Sequence, residues 1–237
     1  MALMADHPGQ VVEPRLAASV VLLRNNDDGL EILYLRRSPH LKFMGGYWVF
    51  PGGRIDPDDH VPDDTDDHDG PDELGTARRA AASEAQEEAG VRVDPASLHA
   101  VGQWTTPTAS PIRFATWFFA AEADHTPVQV DGVEIHAHQW HRPEEALRAH
   151  RTGNLLFANP TFVLTTRLAE HRTVRDALAA VDTWPKEQML GRILPVEGGR
   201  VALYAEDSGY ASRTVHSAGP RHRVWMLDAG WRYEREF

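Results

Sequence analysis

Apolar positions dominate two early runs, "LAASVVLLR" (16–24) and "LEILYLRR" (30–37), separated by "NNDDG". Dense β-branched and aliphatic residues on either side of an Asn/Asp/Gly turn predict a β-hairpin. "FMGGYWVFPGGRIDP" follows, rich in Gly and aromatics, and reads as a structured loop. From Glu73 to Ala89 the chain is rich in alanine, which predicts a helix that Gly90 stops. "LHAVGQWTTP" and "RFATWFFAAEA" predict two more strands around a Pro-containing loop, and "VEIHAHQWH" alternates as another. "RPEEALRAHRTG" predicts a helix opened by Pro143 and closed by Gly153. "NPTFVLTTRLAEHRTVRDALAAV" reads as one long helix, with Asn159 as its cap and Pro160 at its first helical position. Short β-like runs, "RVALYAE" and "HRVWMLDAG", lie in the tail. Strands with helices between and after them predict a layered α/β (α+β) domain.

Composition narrows the function classes. With 237 residues, 42% hydrophobic and 25% charged, a soluble globular protein is expected. The net charge of −11 argues against binding a nucleic acid polymer or an anionic membrane non-specifically. There is no cysteine, which excludes disulfides, thiolate metal sites and thiol nucleophiles. The first ten residues lack the charged start and apolar run of a signal peptide, and no apolar stretch approaches a membrane span. A cytoplasmic enzyme or binding protein is the expectation. Residues 1–15 read as an N-terminal arm and 16–184 as the main domain, with 56–72 a solvated acidic insert. Residues 185–237 read as a C-terminal extension packed on that same domain.

The chemical question lies in "AASEAQEEAGV" (81–91), which sets Glu84, Glu87 and Glu88 within about one helical turn. Carboxylates three and four residues apart repel, and no Lys or Arg lies between Glu84 and Gly90 to relieve them. A solvated acidic helix face is one explanation. A hard divalent cation such as Mg²⁺ or Mn²⁺, which prefers oxygen ligands, is the other.

With "FPGG" upstream, the stretch resembles the signature box of the Nudix hydrolases, pyrophosphatases of nucleoside diphosphates linked to another moiety. That box opens with Gly, has a Glu six on, and ends in Arg-Glu-apolar-x-Glu-Glu-x-Gly-apolar. Gly53 matches the opening, and Glu84, Ala85, Glu87, Glu88, Gly90 and Val91 match the end. Ser83 stands where the box has Arg, and the acidic insert lengthens the middle, so the first box Glu falls on Asp59 or on Glu73. Just upstream, "LYLRRSPHLKFMGGYWVFPGG" resembles the motif of the Nudix coenzyme A diphosphatases, in the subgroup with an interrupted box. Arg37, Ser38, Gly46, Phe50, Pro51, Gly52 and Gly53 match at its spacing, Lys42 replaces an Arg, and Tyr34 and Leu35 depart from it. The resemblance covers residues 16–181 and weakens into the tail.

The resemblance implies a Nudix-type α/β/α sandwich with a mixed β-sheet between helices. It also implies Mg²⁺ or Mn²⁺ as cofactor, to neutralise a diphosphate and acidify a water. The implied metal residues are Gly53, Glu84, Glu87, Glu88 and, downstream of the box, Glu134. Glu84, Glu87 and Glu88 are the implied catalytic carboxylates, with Glu84 the favoured base. Arg37, Lys42, Gly52 and Arg54 are the implied substrate contacts. Coenzyme A would yield 3′,5′-ADP and 4′-phosphopantetheine. The partner implied is a small-molecule diphosphate, and a homodimer is left open. Two other readings also stay open. Lys42 in place of Arg is compatible with another diphosphate substrate, such as ADP-ribose, NADH or a dinucleotide. Ser83 in place of Arg is compatible with a non-catalytic nucleotide sensor.

Other signals carry less. "TDDHDGPDELGT" resembles a calcium loop, but Thr65 and Thr76 fall where acidic ligands are needed. His136, His138 and His141 are expected to be surface histidines. Trp48, Trp104 and Trp117 are expected mostly in core or loop packing.

Overall fold

The computed structural model describes residues 12–56 and 72–237. Most of the acidic insert, Asp59 and most of the calcium-like pattern lie outside the described residues, as does the N-terminal arm before Val12. The chain forms two compact units. The larger comprises Leu16–Gln103 and Thr116–Glu187. The smaller comprises Trp104–Ala115 and Gln188–Phe237, with residues 12–15.

The predicted hairpin forms as β1 (Arg15–Asn26) and β2 (Gly29–Arg37), antiparallel, with Asn26 opposite Gly29 across the turn. The Gly- and aromatic-rich loop contains two short strands, β3 (Trp48–Val49) and β4 (Gly52–Arg54). The helix α1 (Glu73–Ala89) has the predicted bounds. The Asp72 side chain caps its start by accepting the Gly75 N–H at 2.8 Å. At its end Gly90 adopts φ +69°, the left-handed cap conformation. The remaining strands that contribute to this unit are β5 (His99–Thr105), β6 (Phe114–Glu122) and β7 (Ile135–His141).

In the sheet the order is β3-β2-β1-β6-β5, with β4 also paired to β1 and β7 to β2. Alternation then divides the side chains between two faces. Ala18, Val20 and Leu22 of β1 and Leu33 and Leu35 of β2 share one buried cluster with Ala77, Ala80, Ala81, Ala85 and Ala89 of α1. Methyl-sized side chains let the helix backbone lie close to the sheet, and close approach holds its glutamates near the strand ends.

The next helices are α2 (Pro143–Arg151) and α3 (Asn159–Leu168). On the opposite face, Tyr34 stacks on Phe157 with ring centroids 5.2 Å apart, and its hydroxyl meets the α3 Thr165 Oγ1 at 2.9 Å. A mixed α/β fold is what the sequence pattern predicts, and it is what forms.

One expected element is corrected. The single helix over 159–181 is two, α3 and then α4 (Val174–Thr183). Asn159 is the first helical residue rather than the cap, which is Ala158 without a side-chain bond. The break has a local cause. Thr173 Oγ1 accepts the Asp176 N–H at 3.2 Å, and Asn25 Oδ1 near the end of β1 accepts the Val174 N–H at 2.9 Å. A new N-terminus capped from two sides costs less than continuing the helix past it.

In the smaller unit, β8 (Gln188–Leu190) precedes an antiparallel meander. Its strands are β9 (Arg192–Val196), β10 (Gly199–Leu203), β11 (Arg221–Leu227) and β12 (Gly230–Glu236), in the order β12-β11-β10-β9. No helix among the described residues is long and apolar enough to cross a membrane.

Candidate active site

The site gathers at the ends of β2, β4 and α1 and at the turn before β7. β4 pairs with β1 so tightly that a Cβ on Gly52 would lie 2.5 Å from the Ala18 carbonyl oxygen. On Gly53 it would lie 2.0 Å from Glu84 Oε1. Gly52 is therefore required by close approach of backbone, whereas at Gly53 a side chain would have to push the Glu84 carboxylate aside. Their reward is contact with α1: the Gly52 N–H donates to Glu88 Oε2 at 2.9 Å, and the Glu84 carboxylate lies against the Gly53 α-carbon.

Glu88 is 5% exposed. Burial is the largest influence on its carboxyl and pushes the pKa up to about 8. The Gly52 N–H and Arg37 pull it down, while the charges of Glu84 and Glu134 raise it further. Glu88 thus feels the charges of both Glu84 and Glu134. Glu134 is held in place from behind. The Asp131 Oδ1 accepts the N–H groups of Val133, Glu134 and Ile135 at 2.8, 3.1 and 2.9 Å. The Ser38 N–H donates to the Glu134 carbonyl at 2.7 Å.

Charge balance comes from Arg37, at the last position of β2. Its Nη2 donates to Glu134 Oε2 at 3.2 Å, and its Nη1 lies 4.0 Å from Glu88 Oε1. The relieving cation that the helix lacks is supplied by a strand.

Glu87 is turned elsewhere. It is exposed, and its Oε1 accepts from Ser83 Oγ at 3.0 Å, so the residue replacing the box Arg still serves a carboxylate. Glu73 accepts from the Trp117 indole at 2.9 Å and from the Gln103 amide at 3.3 Å, two neutral donors. Lys42, in the loop before β3, and Arg54, at the end of β4, are both exposed.

The donor set suits a hard divalent cation. It offers carboxylate oxygens from two separate elements, one of them buried at an energetic cost that a cation would offset, and a glycine leaving room beside Glu84. The sequence pattern singled out the glutamates and glycines. It missed Asp131 and the Trp117–Gln103 pair that holds Glu73. An Asp-Gly step two residues before Glu134 is a turn signal that pointed to Asp131. No local signal connects Trp117 to a residue 44 positions away.

A family model described as "NUDIX domain" matches residues 13–158. Among solved structures, the chain is similar to a NUDIX hydrolase from Alicyclobacillus acidocaldarius. The TM-score is 0.62 and the identity 23%, over 75% of this chain and 100% of that one. It is also similar to the NUDIX domain of Shewanella oneidensis NrtR complexed with ADP ribose, with TM-score 0.46 and 18% identity over 66% of this chain and 88% of that one. A C. elegans Ap4A hydrolase matches with TM-score 0.43 and 18% identity, over 66% and 96% of the two chains. No curated protein matches the sequence.

Proposed function

The chain belongs to the Nudix family and is a hydrolase acting on pyrophosphate bonds; from that premise we propose that its substrate is coenzyme A or an acyl-CoA, cleaved in the cytoplasm. The products would be 3′,5′-ADP and (acyl-)4′-phosphopantetheine. The observation that carries the site reading is the buried Glu88 carboxyl, which feels the charges of Glu84 and Glu134, with Gly53 in contact with Glu84. The substrate reading rests on the spacing of Arg37, Ser38, Gly46 and Phe50–Gly53.

Glu84, Glu88 and Glu134 would hold Mg²⁺ or Mn²⁺, with Glu87 free to join by leaving Ser83. When bound, the cation supplies charge neutralisation at the diphosphate and a lowered water pKa. The chain's own groups do the rest. Glu84 takes a proton from the attacking water. The water oxygen bonds to one phosphorus, the bridging P–O bond breaks, and its electron pair leaves with the departing phosphate. Arg37 stabilises that charge. Gly52 keeps Glu88 in register through its N–H.

The test is product analysis of coenzyme A, acetyl-CoA, ADP-ribose and NADH with Mg²⁺ or Mn²⁺, beside Glu84→Gln, Glu87→Gln and Glu88→Gln. We expect 3′,5′-ADP from the coenzyme A substrates and a loss of roughly 10²–10³-fold in Glu88→Gln. Cleavage of ADP-ribose or NADH alone would overturn the coenzyme A reading. Undiminished rates in all three variants would overturn the carboxylate assignment.

A further inference from the structure

Arg37 occupies an awkward position for a substrate contact, since its guanidinium lies on the carboxylates proposed to receive a cation. Its hold there is slight. Among the described residues the side chain makes one hydrogen bond, at 3.2 Å, to a Glu134 side chain that is 54% exposed. Its approach to Glu88 is 4.0 Å, outside hydrogen-bond range. The Nε is buried and makes no hydrogen bond among the described residues. A guanidinium has five N–H donors in a planar fork suited to two phosphate oxygens, and here one is used.

The backbone beneath it is fixed by comparison. The Arg37 N–H donates to the Tyr47 carbonyl at 3.0 Å, and its carbonyl accepts the Gly46 N–H at 3.1 Å. A pinned α-carbon with a weakly held, under-used head is free to re-aim only through its side-chain torsions.

We infer that Arg37 is a placeholder cation: it competes with the metal for Glu134 and Glu88, yields those carboxylates to it, and turns its fork to the substrate diphosphate. The inference rests on the carboxylate reading above and deepens it. Binding of the metal and of the diphosphate are then coupled through one side chain. The metal must displace Arg37, and the displaced Arg37 becomes a diphosphate ligand. The same positive charge would otherwise be a liability beside a divalent cation.

The sign of two affinities tests it. Mn²⁺ is titrated calorimetrically into the metal-free full chain, and methylenediphosphonate, a non-hydrolysable diphosphate, into the Mn²⁺-saturated protein. The proteins are the wild type, Arg37→Met, Arg37→Gln and Arg37→Lys. Removing the competing charge should tighten Mn²⁺ binding by roughly ten-fold in the two neutral variants. The same variants should bind methylenediphosphonate about ten-fold more weakly. Arg37→Lys, which keeps the charge, should stay within about three-fold of the wild type for Mn²⁺.

Opposite movement of the two affinities supports the placeholder. A residue that merely braces the glutamates would weaken both, and that result overturns the inference, as does an unchanged Mn²⁺ affinity. Arg37→Gln carries the test if Arg37→Met does not fold. Glu88→Gln separates the two readings. Mn²⁺ affinity equal in wild type and Glu88→Gln would sink the carboxylate assignment, and the inference with it. Loss of binding in Glu88→Gln with no gain at Arg37 would sink the inference alone.

Discussion

Two of the buried carboxylates that face arginines among the described residues are treated in opposite ways. Asp207, in the loop between β10 and β11, accepts Arg223 Nε and Nη2 at 2.6 Å each. It also accepts the backbone N–H groups of His222 at 2.9 Å and Gly209 at 2.8 Å. Burial alone would raise its pKa, but these bonds together hold it below the usual carboxylate range. The Arg223 fork is spent, its Nη1 reaching the Val215 carbonyl at 3.1 Å. Glu88 receives one N–H and a guanidinium 4.0 Å away, and its pKa is pushed up. A carboxylate saturated with bonds is a structural fastener. A buried one left short of donors has room for a ligand.

Breaking the fastener gives the largest expected effect. Arg223→Met leaves the buried Asp207 charge without its guanidinium partner and should cost about 3–5 kcal/mol, read from urea unfolding. If the loss is under about 1 kcal/mol, the pair is not what holds the β10–β11 loop.

At the site the expected loss is in rate. Gly53→Ala puts a methyl against Glu84 and should lower turnover roughly 10–100-fold with little change in melting temperature, because the carboxylate can shift while the strand stays paired. A variant with full activity would place Glu84 outside the chemistry.

The pH dependence sharpens the contrast. A depressed Asp207 contributes stability above the unfolded pKa of about 3.9, and that stability is lost as pH falls through the lower folded value. The destabilisation in Asp207→Asn should therefore be full at pH 7 and shrink at pH 3. The raised Glu88 works the other way. The metal-free folded state holds its proton up to about pH 8, so stability falls as pH rises from about 4.5 toward that value. In a chelator, Glu88→Gln should match the wild type at pH 4.5 and exceed it at pH 8. Urea midpoints at the two pH values check both signs.

The smallest effect belongs to a neutral pair. Tyr34→Phe removes a buried hydroxyl contact with Thr165 and should cost about 1–2 kcal/mol at any pH between 5 and 8, read from the same unfolding curves.

Local pattern sufficed for much of the molecule. Alternating apolar runs around "NNDDG" specify β1 and β2, because a strand's two-residue period is written in its own residues. The alanine run with Asp72 before it and Gly90 after it specifies α1 to the residue. The Thr173–Asp176 spacing was a legible N-terminus that the longer apolar pattern overrode, which is why α3 and α4 read as one helix. The four-stranded meander was only half legible. Tail runs such as "GWRYERE" alternate charge with aromatics and owe their strand to pairing with β11.

For the candidate site, the sequence alone singled out the residue types: three glutamates at helical spacing and two adjacent glycines upstream. Only the tertiary structure decided which carboxylates act on the buried Glu88, and which cation they meet. Glu87 left for Ser83, Glu134 arrived from 46 residues beyond Glu88, and Arg37 came from a strand 51 residues before it. Helical periodicity reaches only one turn along the chain, whereas burial and charge act through space between elements the sheet brings together.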